Sequence, residues 1–490
     1  MIEKLRELAA QHDLADTHSA QVMAETRAWV VDPGIDDPTL TDLSHLPFCT
    51  IDEVESKDLD QALYVEQTAQ GLVLWYAIAD AAHFVPRGSA TFAEALRRGA
   101  TYYLPGLVLP MLPRELSEDL CSLNAGVHRR ALVWRMPLKN DGSIGEVTLT
   151  RARIRSRAKL AYDHVDRWLK QGTWPELDDG VRASLERLPE AGRLRMQHAQ
   201  ERDVVRYRRR QLAFSLSPGE GIAVWTDLRN DVERYNEQLS LLCNSTGAAM
   251  LMARPDIAGI YRVHPSPPGD RVEELRARIA GLCALRGLSG PYLWEGQSLA
   301  DYLEGLPQGP LATAIHRQAM VANRASTFAP EPAPHHGVGA EAYGRFSAPM
   351  REVVGVYLHA ELLGLAAPDT ALRDQVIEAS NQARQTQKTL DKAVNLMAID
   401  ALFQRDVDQG APPRLGTVVG ITRSRVHLQM DDPAIELKAY AQDLSWALVP
   451  HESGAAAMAP DGSVRLALGD RARARVLGKE GERWRLDIVD

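Results

Sequence analysis

Apolar and polar positions along this chain follow two different periods, and the switches between them outline its elements. From residue 1 to about 31 the apolar side chains recur at helical spacing: Leu5, Leu8 and Ala9, then Ala20, Met23, Ala24, Ala28 and Val31, with a break near 13–18. Two short helices are predicted, either a packing arm for the main body or a helix-turn-helix-like module. Residues 32–38, rich in Pro, Gly and Asp, stop helicity and read as a linker. Apolar runs at 48–51 and 62–65 read as buried strands, and the nearly continuous run 72–79, ending on Asp80, as a central one. Residues 91–98 read as a helix stopped by Gly99, and the prolines at 105, 110 and 113 predict a stiff loop without regular structure.

Helical periods return at 236–254, 271–288 and 311–324, and again from Arg351 to Leu363. Beyond the breaker run 408–413 the period changes to two. Short strands are predicted at 417–422, 425–430, 435–439, 470–477 and 483–489. About five strands joined by Gly and Asp turns suggest a small barrel of the OB type. The fold class is therefore α+β, with a helical N-terminal region (1–45), a large mixed domain (46–411) and a C-terminal barrel (412–490).

Composition adds limits rather than identity. The chain has 490 residues, 45% hydrophobic and 25% charged, and its 56 Lys and Arg against 65 Asp and Glu give a net charge of −9. A nonspecific coat on nucleic acid is excluded by that balance, so any polyanion must be met by local basic patches. Cys49, Cys121, Cys243 and Cys283 lie far apart among apolar neighbours and read as reduced core residues. No apolar run approaches the ~18 residues of a membrane span, and the first residues open an amphipathic helix rather than a signal peptide. A cytoplasmic protein is expected.

The densest chemistry is at 50–63, where Asp52, Asp58 and Asp60 crowd one polar loop between two predicted strands. Carboxylates held close repel, which raises a pKa or recruits a hard, oxygen-seeking cation such as Mg²⁺. A solvated acidic turn is the equally weighted alternative. Arg151, Arg153, Arg155 and Arg157 alternate as one strand face would, which suits either a phosphate-binding face or a charge-guarded edge. Arg206, Arg208, Arg209 and Arg210 form a second cluster, at the end of a polar helical stretch, with the same two readings. His335 and His336 are adjacent, but without further ligands at zinc spacing a zinc site is discounted. Arg351 opens its helix, where the dipole disfavours a cation, so it wants an anionic partner. On the barrel, Arg423, Arg425, Lys438, Tyr440, Arg471, Arg473 and Arg475 could follow a single strand of nucleic acid.

Several motifs stand in one order: Thr50-Ile51-Asp52 with Asp58 and Asp60; Ile78-Ala79-Asp80; Arg98-Gly99 with Tyr103-Leu104-Pro105; and Pro110 to Leu123. Then come Ser156 to Tyr162, Tyr261-Arg262-Val263-His264, and Ser347 with Pro349 and Arg351. Together these resemble the RNase II/RNase R family of 3′-to-5′ exoribonucleases, over about 45–405 for the catalytic domain and 412–490 for an RNA-binding OB fold. The resemblance implies processive hydrolysis of single-stranded RNA to nucleoside 5′-monophosphates by a two-metal mechanism, the protein acting as a monomer. Asp52, Asp58 and Asp60 would hold Mg²⁺, with Mn²⁺ as the alternative ion, and Arg351 would stabilise charge on the scissile phosphate. Tyr103 would meet the terminal nucleotides and Glu237 would contact RNA.

Departures from the family pattern accompany the match. Gln61 stands where a fourth aspartate is usual, so it would offer the metal only a carbonyl oxygen. Glu352 replaces the usual second basic residue after Arg351, and Gly355 the usual aspartate. The chain also lacks room for the two N-terminal cold-shock domains of longer relatives. A catalytically impaired RNA-binding protein that keeps the fold is the competing expectation.

Overall fold

The computed structural model describes residues 2–208, 211–217 and 221–489, so Arg209 and Arg210 of the second basic cluster lie outside the described residues. It is α+β. The helices are α1 (Ile2–Ala10), α2 (Ala20–Val31), α3 (Ala81–Phe84), α4 (Ala90–Arg98), α5 (Tyr162–Gln171) and α6 (Asp179–Gln200). They continue with α7 (Asp231–Met252), α8 (Gly269–Arg286), α9 (Leu299–Gly305), α10 (Pro310–Ala322), α11 (Val353–Leu363) and α12 (Thr370–Gln409).

The large mixed region is built on a seven-stranded sheet. Its strands are β1 (Thr41–Asp42), β2 (Cys49–Asp52), β3 (Gln61–Thr68) and β4 (Gly71–Ala79), then, past a separate hairpin of β5 (Tyr102–Leu104) and β6 (Leu107–Leu109), β7 (His128–Leu138), β8 (Thr148–Arg155) and β9 (Ala158–Ala161), in the order β1-β8-β7-β4-β3-β2-β9. The apolar run in β4 reflects its place between β3 and β7, with buried residues on both faces. β2 is hydrogen-bonded along its length to β9, in parallel, but meets β3 only at Cys49 opposite Leu63. Past that pair the two strands diverge, and the aspartate loop fills the opening.

The proline-rich stretch is more ordered than its sequence predicts. Tyr102–Leu104 (β5) and Leu107–Leu109 (β6) pair as a short hairpin, because Pro105-Gly106 supplies the turn, Gly106 at φ 67°. The prolines sit outside the paired positions. A one-turn π-helix, Glu115–Leu120, follows.

At the N-terminus, Leu5, Ala9 and Leu14 are buried against Tyr102, Leu104, Leu107 and Leu109 and against Ala383, Leu390 and Val394 of α12. Arg98 at the end of α4 staples the α1–α2 connection by donating to the carbonyls of Ala15 at 2.6 Å and Thr17 at 2.5 Å. Those contacts are those of a packed arm. Gly99, at φ +73°, ends α4 so close to α12 that a Cβ there would lie 2.6 Å from the carbonyl of Ala379. No other residue fits both the conformation and the approach.

The alternating arginines at 151–157 all bond within the fold, three of them on β8. Arg151 donates to Asp80 at 2.6 and 3.2 Å, Arg153 to Asp42 at 2.7 Å, Arg155 to the Gly126 carbonyl and Arg157 to the Ser44 carbonyl. Arg151 and Arg153 are thereby charge-paired within the fold, whereas Arg155 and Arg157 bond neutral carbonyls only. Arg130 and Asp80, both with fully buried side chains, lie 3.3 Å apart under Arg151. Asp80 serves both Arg130 and Arg151, so Asp80→Ala strips the fully buried Arg130 of that carboxylate and should lower unfolding stability by about 3–5 kcal/mol. Arg153→Ala, beside exposed Asp36 and Asp42, should cost under about 1 kcal/mol. Urea titration of both variants checks the contrast.

Several elements went unread in the sequence, among them β7, α12 and two strand pairs. The hairpin β10 (Gln211–Ser217) and β11 (Gly221–Asp227) follows the Arg-rich run, and β12 (Tyr261–Val263) pairs with β13 (Thr327–Ala329). The 40-residue α12 packs on α4, β5, α11 and β13 and continues to the C-terminal sheet. There β14 (Arg414–Ile421), β15 (Arg425–Met430), β16 (Glu436–Tyr440), β20 (Arg471–Glu480) and β21 (Arg483–Val489) form one five-stranded sheet, interrupted by a smaller sheet of β17 (Val449–Pro450), β18 (Ala456–Met458) and β19 (Val464–Ala467). Its order β16-β15-β14-β20-β21 brings β16 alongside β21, curling the sheet toward a barrel. All four cysteines are buried and free.

Buried histidines make the fold acid-sensitive. Burial pushes His316 and His359 down to about 4, Arg208 adding to the effect at His316 while Asp80 and the Phe346 carbonyl oppose it at His359. The unfolded chain takes up these protons near 6.5, the folded chain only near 4, so stability is lost as pH falls through that window. By pH 5 each histidine should cost about 2 kcal/mol. Urea midpoints at pH 7 and 5 should show the fall, and His359→Gln should flatten it.

Candidate active site

Leu59 is the anchor that makes the aspartate loop a site. Its side chain is buried, its N–H donates to the Ser122 hydroxyl and its carbonyl accepts from Leu123 N–H, both at 3.0 Å. Around Leu59 the chain turns tightly, Asp60 N–H donating to the Asp58 carbonyl at 3.0 Å, which sets the two aspartates on either side of the buried leucine. The Ser122 hydroxyl also donates to the Lys57 carbonyl at 2.6 Å, and Lys159 Nζ reaches the carbonyls of Val54 and Ser56. Asp52, at the end of β2, accepts from Glu53 N–H at 2.8 Å and the Ser56 hydroxyl at 2.9 Å.

Across the opening stands the segment before α11. Asp60 is 1% exposed and bridges it: Oδ1 accepts from Met350 N–H at 2.9 Å and Oδ2 from Arg351 Nε at 2.7 Å. The two Nη groups of Arg351 bond no other protein group among the described residues, and its side chain is 34% exposed. Residues 351–353 are in turn tied to 99–101 by Thr101 N–H to Arg351 O and Val353 N–H to Gly99 O. That linkage sets β5 beside the arginine, and the Tyr103 hydroxyl donates to Asp58 Oδ2 at 2.5 Å. Tyr103 is 44% exposed. Thus Asp58 is paired with Tyr103 and Asp60 with Arg351, and Asp52 closes the other end of the loop. Glu237, on α7, is paired instead with Arg229 at 3.3 Å, one helical turn from Ser240.

Gln61 is a correction. Its carbonyl oxygen accepts from the hydroxyls of Tyr76 and, at 3.2 Å, Ser240, while its Nε2 donates to the Ser347 carbonyl at 2.6 Å. Both lone pairs of the amide oxygen are engaged, which removes it from the metal set expected of it. Its role here is a clamp joining β3, α7 and the Arg351 segment. Sequence reasoning missed Tyr76, Ser240 and Ser347 as its partners; only the Ser347 motif signalled that this segment comes close.

The donor set suits a hard cation. It is all carboxylate oxygen, and burial pushes Asp60 up to about 6 even though Arg351 and Met350 N–H pull the other way. One guanidinium leaves that carboxylate undercompensated, a deficit further positive charge would remove. Among the described residues, no three His, Cys, Asp or Glu side chains converge as a finished metal cage. Asp60 faces Arg351 instead. His335 and His336 likewise belong to no such group.

A model of the RNB domain matches residues 40–365. The chain belongs to the RNB-domain family. Exoribonuclease 2 of Edwardsiella piscicida is 31% identical over 408 residues, covering 79% of this chain and 60% of the relative. That of Klebsiella pneumoniae is 33% identical over 371 residues, covering 75% and 56%. This RNB-family chain therefore spans about three fifths of the length of these curated relatives. In fold it is similar to Mycoplasma genitalium RNase R in complex with ribose-methylated single-stranded RNA, at TM-score 0.88 and 23% identity over 99% of this chain and 78% of that one. It is also similar to yeast Ssd1, a pseudonuclease, at TM-score 0.65 and 14% identity over 90% and 53%. No helix among the described residues is long and apolar enough to cross a membrane.

Proposed function

We propose that this chain is a divalent-metal-dependent 3′-to-5′ exoribonuclease acting on single-stranded RNA, as a monomer in the cytoplasm. The observation that carries the reading is Asp60 joined to Arg351, two residues 291 positions apart, beside Asp58 and an exposed tyrosine. Asp52, Asp58 and Asp60 would hold Mg²⁺ or Mn²⁺, which when bound activates water and offsets phosphate charge. Arg351 presents its free Nη edge to a phosphate, the fork suited to charge that grows during displacement. Tyr103 would stack on a base near the 3′ end. The exoribonuclease 2 relatives support the same reaction class.

Attack of water on phosphorus forms a new P–O bond and breaks the bond to the 3′-oxygen, which takes up a proton. The released nucleotide keeps its 5′-phosphate and the shortened strand ends in a 3′-hydroxyl. Incubating the protein with 5′-labelled single-stranded RNA and Mg²⁺ tests this: products should shorten progressively from the 3′ end, with nucleoside 5′-monophosphates released. Early internal cuts would overturn the exonuclease reading. RNA binding without any cleavage would favour the impaired, RNA-binding alternative.

A further inference from the structure

Next to Arg351 the chain gathers arginines that its own carboxylates do not balance. Arg345 Nε donates to Glu352 Oε1 at 2.7 Å. Ser326, just before β13, accepts Arg262 Nε and Arg384 Nη2 on one hydroxyl, each at 3.2 Å, and Arg384 also reaches its carbonyl. Two guanidiniums therefore share a neutral oxygen. Burial, then Arg384 and Arg345, push the Arg262 guanidinium down to about 10, with Glu352 opposing. Burial would raise Glu352, but Arg345, Arg262 and Arg351 outweigh it and pull its carboxyl down. One carboxylate thus serves the whole group. Three guanidiniums, Arg262, Arg345 and Arg384, against Glu352 leave a formal excess of two positive charges.

The contrast with β8 is instructive, since there Arg151 and Arg153 each meet an aspartate. Here three different elements contribute: β12 carries Arg262, α12 carries Arg384, and the segment before α11 carries Arg345. The site is reachable as well, for the Arg345 and Glu352 side chains are 27% and 25% exposed. Clustered guanidiniums with an unmet charge, reachable from solvent and gathered round Glu352, the residue after Arg351, suit a phosphodiester rather than a carboxylate of the protein.

We propose that Arg262, Arg345 and Arg384 form a second phosphate subsite, holding a backbone phosphate of the RNA strand beyond the scissile one at Arg351. This rests on the exoribonuclease reading above. The subsite binds and orients the strand; it takes no part in bond breaking. Glu352, where the family pattern has a basic residue, tunes Arg345 within it.

The test compares the full chain with Arg384→Gln, and with Arg384→Lys, which keeps the charge. Binding of a 5′-labelled 12-nucleotide single-stranded RNA is measured without metal over a range of KCl, and its degradation is followed with Mg²⁺. Arg384→Gln should weaken binding on the order of tenfold and reduce the slope of log affinity against log salt by about 0.7, the value for one lost phosphate contact on a single strand. KM should rise with kcat unchanged, and Arg384→Lys should restore the slope. An unchanged affinity and slope, or a fall in kcat at constant KM, would overturn the subsite and leave Arg384 a support for the Arg351 segment. Failure of the wild-type chain to bind the RNA at all would overturn the exoribonuclease reading itself, and the subsite with it.

Discussion

Asp60→Asn is expected to leave a protein that binds RNA and degrades none of it. Asparagine keeps the shape of the side chain and an oxygen for Met350 N–H, so the loop anchored by Leu59 should stay in place. What disappears is the negative charge at the most buried of the three carboxylates. Without it, cation affinity and the pairing with Arg351 both weaken, and neither loss is compensated by Asp52 or Asp58. Turnover should fall by roughly a thousandfold or more, as for other residues that act as a unit with their partners. RNA affinity without metal should stay within about threefold, since strand binding draws on many phosphate contacts. Gel-resolved degradation and filter binding on one preparation check the pair of outcomes. A parallel loss of both would point to a damaged fold instead.

The second large effect is expected at Arg351. In the structure its Nε is committed to Asp60, leaving the two Nη groups as a preset edge. Lysine at this position carries the same charge as a single point, and it cannot hold the carboxylate and a phosphate at once. Arg351→Lys should therefore lower kcat by roughly 10²–10³-fold, the range seen when one donor to a developing charge is removed. KM should move far less. Steady-state rates on single-stranded RNA separate the two quantities, and wild-type kcat in the variant would take Arg351 out of the site.

Much of this site could be read from the residues alone, because its parts sit at the ends of strongly apolar runs. The strands at 49–52 and 61–68 follow the buried runs, and Asp58 and Asp60 fall where those runs leave polar loop. Gln61 was misread because sequence adjacency to Asp60 says nothing of what lies across the strand. Its partners Tyr76 and Ser240 come from β4 and α7, the latter 179 positions away. The β8 arginines were legible as one face, yet their neutralisation by Asp80 and Asp42 was not, since both aspartates arrive from other strands. α12 escaped notice for a different reason. Its buried positions, such as Val376, Ala383, Leu390, Val394 and Phe403, form a thin seam in an otherwise polar helix, too sparse to stand out. Its partners change along its length, so no single apolar face was required.

The long separation between Asp60 and Arg351 also sets a clock during synthesis. Ribosomes add about 5–20 residues per second, so tens of seconds elapse between the appearance of the aspartate loop and that of its arginine. The N-terminal arm waits longer still, because Leu5 and Ala9 find their burial against Leu390 and Val394. Until then the emerging chain carries the acidic half of the site without its counter-charge, and an N-terminal helix with nowhere to dock. On the exoribonuclease reading, the site of an enzyme made on an RNA template stays incomplete for most of its own translation, its assembly gated by topology rather than by an inhibitor.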